Sequence, residues 1–185
     1  VIKVITLFKR DYEGTHLVYN ELVEGAEWAI AGEGVATEKI DGTSCLVEGG
    51  KAGKLLKRYD CKKGKTPPEG FRPAQDPDPI TGHWPGWLPV GDGPEDKWHR
   101  EAWAGLIFIK DDTYELIGPK VQGNKYGLRS HIFRAHGDVI LKDVPRDFQG
   151  IKNYLEHHPE YEGIVWHQGD GRMVKIKRRD FGLPW

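Results

Sequence analysis

Two cysteines, Cys45 and Cys61, are all that this 185-residue chain carries. That number excludes a disulfide framework and a four-cysteine zinc site, and no His/Cys spacing supplies a mixed one. No apolar run approaches the roughly 20 residues that span a bilayer, and Val1 to Arg10 lacks the layout of a signal peptide. An excess of one charge is missing too. The 27 Lys+Arg against 28 Asp+Glu leave a net charge of -1, which removes the uniformly basic surface of a duplex-coating protein and leaves room for a local basic groove. Internal repeats and low-complexity tracts are absent. The expectation is a soluble, cytoplasmic, single-domain protein with no membrane partner. With 38% hydrophobic residues it has enough apolar side chains for a core.

What the chain does have is short β-type runs punctuated by Gly, Asp and Asn. Strands are expected over Val1 to Phe8, Gly42 to Glu48, Lys54 to Tyr59, Leu106 to Ile109, Tyr114 to Gly118, Ile132 to His136, Gly163 to Gln168 and Met173 to Lys177. Phe148, Ile151, Tyr154 and Leu155 recur at helical spacing and Pro159 ends that run, while Glu95 to Ala104 carries Trp98, Ala102 and Trp103 on one side of a second helix. The fold class is α+β, rich in antiparallel sheet. Eight of the 12 prolines fall between Pro67 and Pro94 together with Trp84 and Trp87. That density reads as an ordered surface loop without regular structure, part of an insertion at about 64–105.

The chemistry concentrates in a few strings. Glu38-Lys39-Ile40-Asp41-Gly42-Thr43 places a lysine at a strand boundary with an aspartate two residues on, so the two point to one side if the chain is extended. A lysine set among cations or partly desolvated becomes a nucleophilic amine, and Gly42 permits close approach of the backbone. A solvated Lys-Asp pair in a tight turn is the plain alternative. Glu162 to His167, the turn Gly169-Asp170-Gly171, and Met173 to Lys177 read as a hairpin. A two-residue turn would put Glu162, Ile164 and Trp166 on the face of Lys175 and Lys177, with Val165, Val174 and Ile176 opposite. A carboxylate beside two lysines suits a metal-bound polyphosphate; cross-strand surface pairing is the alternative. Lys57-Arg58 and the carboxylate of Tyr114-Glu115-Leu116-Ile117-Gly118 add to the set. Of the histidines, His131 and His136 alternate with apolar residues, so one of them could line a pocket. Cys45 is expected to be a buried thiol.

In this order, Lys39-Ile40-Asp41-Gly42, Lys57-Arg58, Tyr114 to Gly118, Glu162-Gly163-Ile164-Val165 and Lys175-Ile176-Lys177 resemble the motifs of the covalent nucleotidyltransferases. That superfamily comprises ATP-dependent RNA ligases, DNA ligases and mRNA-capping guanylyltransferases. Glu38, the Lys57-Arg58 pair and Glu115-Leu116-Ile117-Gly118 resemble the RNA-ligase branch most, and Gly118-Pro119-Lys120-Val121-Gln122-Gly123-Asn124-Lys125-Tyr126 resembles the small stand-alone 5′–3′ RNA ligases. The resemblance implies a nucleotidyltransferase (adenylation) domain, with an ATP-grasp-like ligase fold, over residues 1–185 and no C-terminal OB or helical domain. It implies that Lys39 takes AMP from ATP, that Asp41, Glu115 and Glu162 position Mg2+ or Mn2+, and that Lys175 and Lys177 neutralise the α-phosphate. It further implies that Glu38, Gly42, Arg58 and a purine-stacking ring, here Phe133, line the nucleotide site. The product would be sealed RNA from 5′-phosphate and 3′-hydroxyl ends, by way of lysyl-AMP and AppRNA. RNA capture would fall to the Pro/Trp segment, to Lys62, Lys63 and Lys65, or to Arg178-Arg179. A capping guanylyltransferase, a DNA-joining or 5′-adenylylating enzyme, and a non-catalytic RNA-end-binding module are the alternatives.

Overall fold

The computed structural model describes residues 4–185. In chain order its strands are β1 (Ile5–Thr6), β2 (Phe8–Arg10), β3 (Val18–Leu22), β4 (Val35–Lys39), β5 (Thr43–Glu48) and β6 (Lys54–Cys61). They continue with β7 (Arg72–Pro73), β8 (Trp84–Pro89), β9 (Asp112–Ile117), β10 (Ile132–Ala135), β11 (Gly163–His167) and β12 (Met173–Lys177). The helices are α1 (Glu27–Ile30), α2 (Lys97–Ala104) and α3 (Phe148–His157). This is the expected α+β class with antiparallel pairing dominant; β1–β12 is a parallel pair. No described helix is long and apolar enough to cross a membrane. The chain divides into two compact units, a central one, Asp41–His136, and a terminal one made of residues 4–40 and Gly137–Trp185.

The terminal unit is built on a sheet of order β1-β12-β11-β4, beside the β2–β3 pair. Ile164, Trp166, Val174 and Ile176 are almost completely buried, as period-two alternation requires of a sheet with one covered face. Ile151 and Leu155, one helical turn apart on α3, join the same core. Each such aliphatic side chain stabilises the fold by roughly 1.5–3 kcal/mol. Asp147 starts α3 by accepting the Gly150 N–H at 2.8 Å, and Pro159 lies just past its end. Phe148 sets its ring edge-on to Phe8 and Phe181.

The central unit is a six-stranded sheet of order β10-β9-β5-β6-β8-β7. Cys45, Val47, Leu55, Tyr114 and Leu116 form its covered face, against which Ala102, Trp98 and Trp103 of α2 pack. Burial pushes the Cys45 thiol up, with the Glu115 and Asp96 charges adding to the effect.

Two expectations give way here. The Pro/Trp segment is not free of regular structure, because β8 pairs along its whole length with β6. Pro85 offers its carbonyl to the Ala74 N–H, so odd-numbered residues of β8 present their backbone groups to the β7 side. Pro85 and Pro89 therefore lack a donor only on that outer side, and the ladder to β6 loses nothing. Leu106 to Ile109 forms no strand: Ile109 is buried, while Ile107 and Phe108 are 97% and 71% exposed. Of the expected first strand, residues 1–3 lie outside the described residues.

Candidate active site

In the terminal unit, Lys39 closes β4 and is registered across Gly163 of β11, which in turn is registered across Lys177 of β12. Cross-strand partners share a face, so Lys39 and Lys177 flank a glycine on one rung. Val165 is registered across both Lys175 and Thr37, which puts Lys175 and Thr37 on that same face. A Cβ on Gly163 would lie 2.1 Å from the Ile176 carbonyl oxygen. The glycine lets β12 approach and leaves no side chain between the two lysines.

This geometry corrects the expected hairpin parity. Gln168 N–H bonds to the Arg172 carbonyl, so three residues form the turn, not two. Ile164 and Trp166 consequently face Ile176 and Val174 in the core, and the lysines share their face with Val165. Glu162 reaches that site because it precedes the strand and escapes its alternation. Lys39 Nζ donates to Glu162 Oε2 at 2.8 Å. Among the described residues Lys175 and Lys177 form no ion pair. Burial, then the charges of Lys39 and Lys177, holds the Lys175 ammonium below the ordinary lysine value, with Asp180 and Glu162 opposing the shift. Asp180, buried, accepts the Lys177 N–H at 2.7 Å and pairs with Arg10.

Glu38 lies on the other face of β4 from Lys39, registered across Ile164 and 9% exposed. Arg178 is not an RNA-facing cation. It is buried, and its guanidinium donates to the carbonyls of Leu155, His158 and Pro184, where it satisfies the end of α3. Arg179 is exposed.

In the central unit, Glu115 is registered across Ser44 on one side and Arg134 on the other, and Arg58 stands on the same face of the sheet. Glu115 Oε1 is 2.8 Å from His136 Nε2, and His136 Nδ1 is 2.8 Å from Thr113 Oγ1. A carboxylate only accepts, so Nε2 donates to Glu115, while the Thr113 hydroxyl bonds the ring at Nδ1. Arg58 donates to Asp60 at 2.8 Å and lies over Trp87. Lys57 projects from the opposite face and pairs at 2.5 Å with buried Asp96, a structural use. Phe133 is also on that opposite face, edge-on to Tyr114 within the hydrophobic core. Asp41 donates its backbone N–H to the Tyr126 hydroxyl at 2.7 Å. A Cβ on Gly42 would lie 2.4 Å from the Leu116 carbonyl, so its close approach is to β9.

Among the described residues no group of three or more His, Cys, Asp or Glu side chains could hold a metal alone. Glu162 and Glu115 are single carboxylates, each already hydrogen-bonded. Such donors fit magnesium, which keeps most of its waters and leans on substrate phosphates. Three lysines around Gly163 fit the phosphates themselves. Sequence reading missed Thr37, Asp180, Thr113, His136 as the partner of Glu115, and Arg134. Only the His136 alternation gave a signal.

Residues 100–185 match the family profile described as RNA ligase 1. The chain is similar to RNA ligase 1 of Danio rerio, 30% identical with 96% of this chain and 76% of the relative covered. It is similar to RNA ligase 1 of Mus musculus at 29% identity over the same shares.

Proposed function

Because the chain belongs to the RNA ligase 1 family, we propose that it seals 5′-phosphate and 3′-hydroxyl RNA ends with ATP, through lysyl-AMP and AppRNA. The observation that carries this reading is the rung Lys39–Gly163–Lys177, with Lys175 on the same face and Glu162 on the Lys39 amine.

Lys39 is the nucleophile. It leaves the Glu162 pair, gives up a proton to solvent, and its Nζ forms a bond to the α-phosphorus as the bond to pyrophosphate breaks. The RNA 5′-phosphate oxygen then displaces the lysine, and the 3′-hydroxyl displaces AMP from the resulting AppRNA. In-line displacement at phosphorus needs positioning and fixed charge more than acid–base help. Lys175 and Lys177 supply that charge at the α-phosphate, and Arg58 binds a phosphate. Asp41, Glu115 and Glu162 would hold Mg2+ or Mn2+, whose chemistry is to neutralise the polyphosphate. His136 holds Glu115 at one oxygen and leaves the other to the ligand. Glu38 and Phe133, each on the opposite sheet face from Lys39 and Glu115 respectively, lend this reading no support.

Intact-protein mass spectrometry tests it. The expected result is an added AMP mass that pyrophosphate removes and that Lys39→Ala lacks. GTP offered in place of ATP should add nothing. Label on Lys39→Ala would refute the mechanism.

A further inference from the structure

Antiparallel pairing in the central unit gathers several segments at one end of the six-stranded sheet. Strand β5 begins there at Thr43, directly after Asp41 and Gly42. Thr43 is registered across Leu116 near the end of β9, so the loop from Gly118 leaves from the same end, and β10 re-enters there at Ile132, opposite Ile117. Strand β6 runs against β5 with Lys57 across Cys45. It therefore finishes at Cys61 beyond the start of β5, and Lys62 leaves there as well.

Both departing loops are one-signed. Cys61 to Pro68 contains Lys62, Lys63 and Lys65 and no acid; Gly118 to Ser130 contains Lys120, Lys125 and Arg129 and no acid. All six residues are exposed. Their backbones are held in place. Lys65 N–H closes on the Lys62 carbonyl at 3.0 Å, and the Cys61 thiol donates to the Lys65 carbonyl. In the second loop Asn124 bonds both the N–H and the carbonyl of Leu128. Lys120 N–H donates to His131 Nε2 at 3.1 Å, and that ring is stacked on Trp98 and hydrogen-bonded to Glu101. Tyr126 holds the Asp41 N–H. Gln122 and Asn124 sit in the left-handed region, at φ 45° and 53°, a conformation these anchors impose.

We propose that the two loops form one phosphate track for the RNA strand, next to Asp41–Gly42 at this end of the sheet. Cations on fixed backbones lose little ordering entropy on binding. Phosphate contacts position a strand without reading its sequence. The track rests on the reading of RNA as substrate.

Fluorescence anisotropy of a short 5′-phosphorylated single-stranded RNA against salt tests it, on the full chain. The variants are K62A/K63A/K65A and K120A/R129A. With a salt slope of about 0.7 per phosphate contact on single strands, the slope should fall by about 2 and about 1.4, respectively. The KM for RNA in sealing should rise roughly tenfold in each, and lysine adenylylation with ATP alone should stay at the parent rate. Wild-type slopes in both variants, a change confined to one loop, or a loss that falls on adenylylation would each overturn the track. If the parent protein takes up no AMP, the proposed reaction fails, and the slopes still decide the track by themselves.

Discussion

Replacing Lys175 by Met should strengthen the fold and cripple the chemistry. Lys175 and Lys177 are two residues apart on one strand face, their backbones about 6.8 Å apart at strand rise, which sets the scale of the charge separation. Two unit charges at that separation repel by roughly 2 kcal/mol at an effective dielectric of 20. Burial weighs most against the charged form, followed by Lys39 and then by this repulsion from Lys177, while Asp180 and Glu162 pull back. The balance is a net cost, which Met removes while keeping most of the volume; relief of this kind commonly stabilises by about 0.5–2 kcal/mol. Lys175→Met is therefore expected to melt about 2–4 °C higher at pH 7. The folded-state pKa of Lys175 is depressed, so between it and the unfolded value the unfolded chain binds more protons, and parent stability rises with pH in that window. The gap between the proteins should accordingly narrow as pH climbs toward the ordinary lysine value of 10.5. Loss of a fixed charge at the reacting phosphate should lower adenylylation about 10²–10³-fold. Melts at a series of pH values and uptake of labelled AMP measure both. A variant that is less stable at pH 7, or a gap that stays constant with pH, would refute the repulsion argument; undiminished labelling would refute the catalytic one.

Gly163→Ala must push a Cβ against the Ile176 carbonyl at 2.1 Å, so β11 and β12 separate; a loss of about 2–3 kcal/mol in denaturant melts is expected. Tyr126→Phe removes the acceptor of the Asp41 N–H and should slow adenylylation roughly tenfold, through kcat more than through KM for ATP. Burial raises the Asp96 carboxyl, but the Lys57 ammonium and the Gly91 N–H outweigh it and hold it below its ordinary 3.8. Its stabilising effect is thus present above that value and is lost as pH falls through the lower folded one, a limb that Asp96→Asn should lack in acid titration. Lys57→Ala leaves buried Asp96 without its ion-pair partner, held by the Gly91 N–H, and should cost about 3 kcal/mol.

Much of this protein is written locally. The period-two runs at Thr43–Glu48 and Met173–Lys177 and the Phe148–Leu155 spacing determine their elements, because alternation and helical periodicity need only neighbours in sequence. The side chains proposed to carry the chemistry, Lys39, Glu115, Glu162, Lys175 and Lys177, stand out for the same reason, as residue types in short ordered strings. Register does not. Whether Lys175 faces Glu162 or Val165 turns on one residue in the Gly169–Gly171 turn, and a one-residue difference reverses a whole sheet face. Pairing also decided which cations are internal. Lys57 and Arg178 look like their neighbours Arg58 and Arg179, yet half-buried Lys57 pairs with Asp96 and the end of α3 buries Arg178. Pro85 and Pro89 spoke against a strand until their orientation toward the short β7 was known. Long-range pairing, with partners more than a hundred residues apart such as Lys39 and Glu162, is what only the tertiary structure could decide. The near balance of charge is likewise resolved in three dimensions, where acids and bases meet on the same sheet faces while the loops Cys61 to Pro68 and Gly118 to Ser130 carry bases alone.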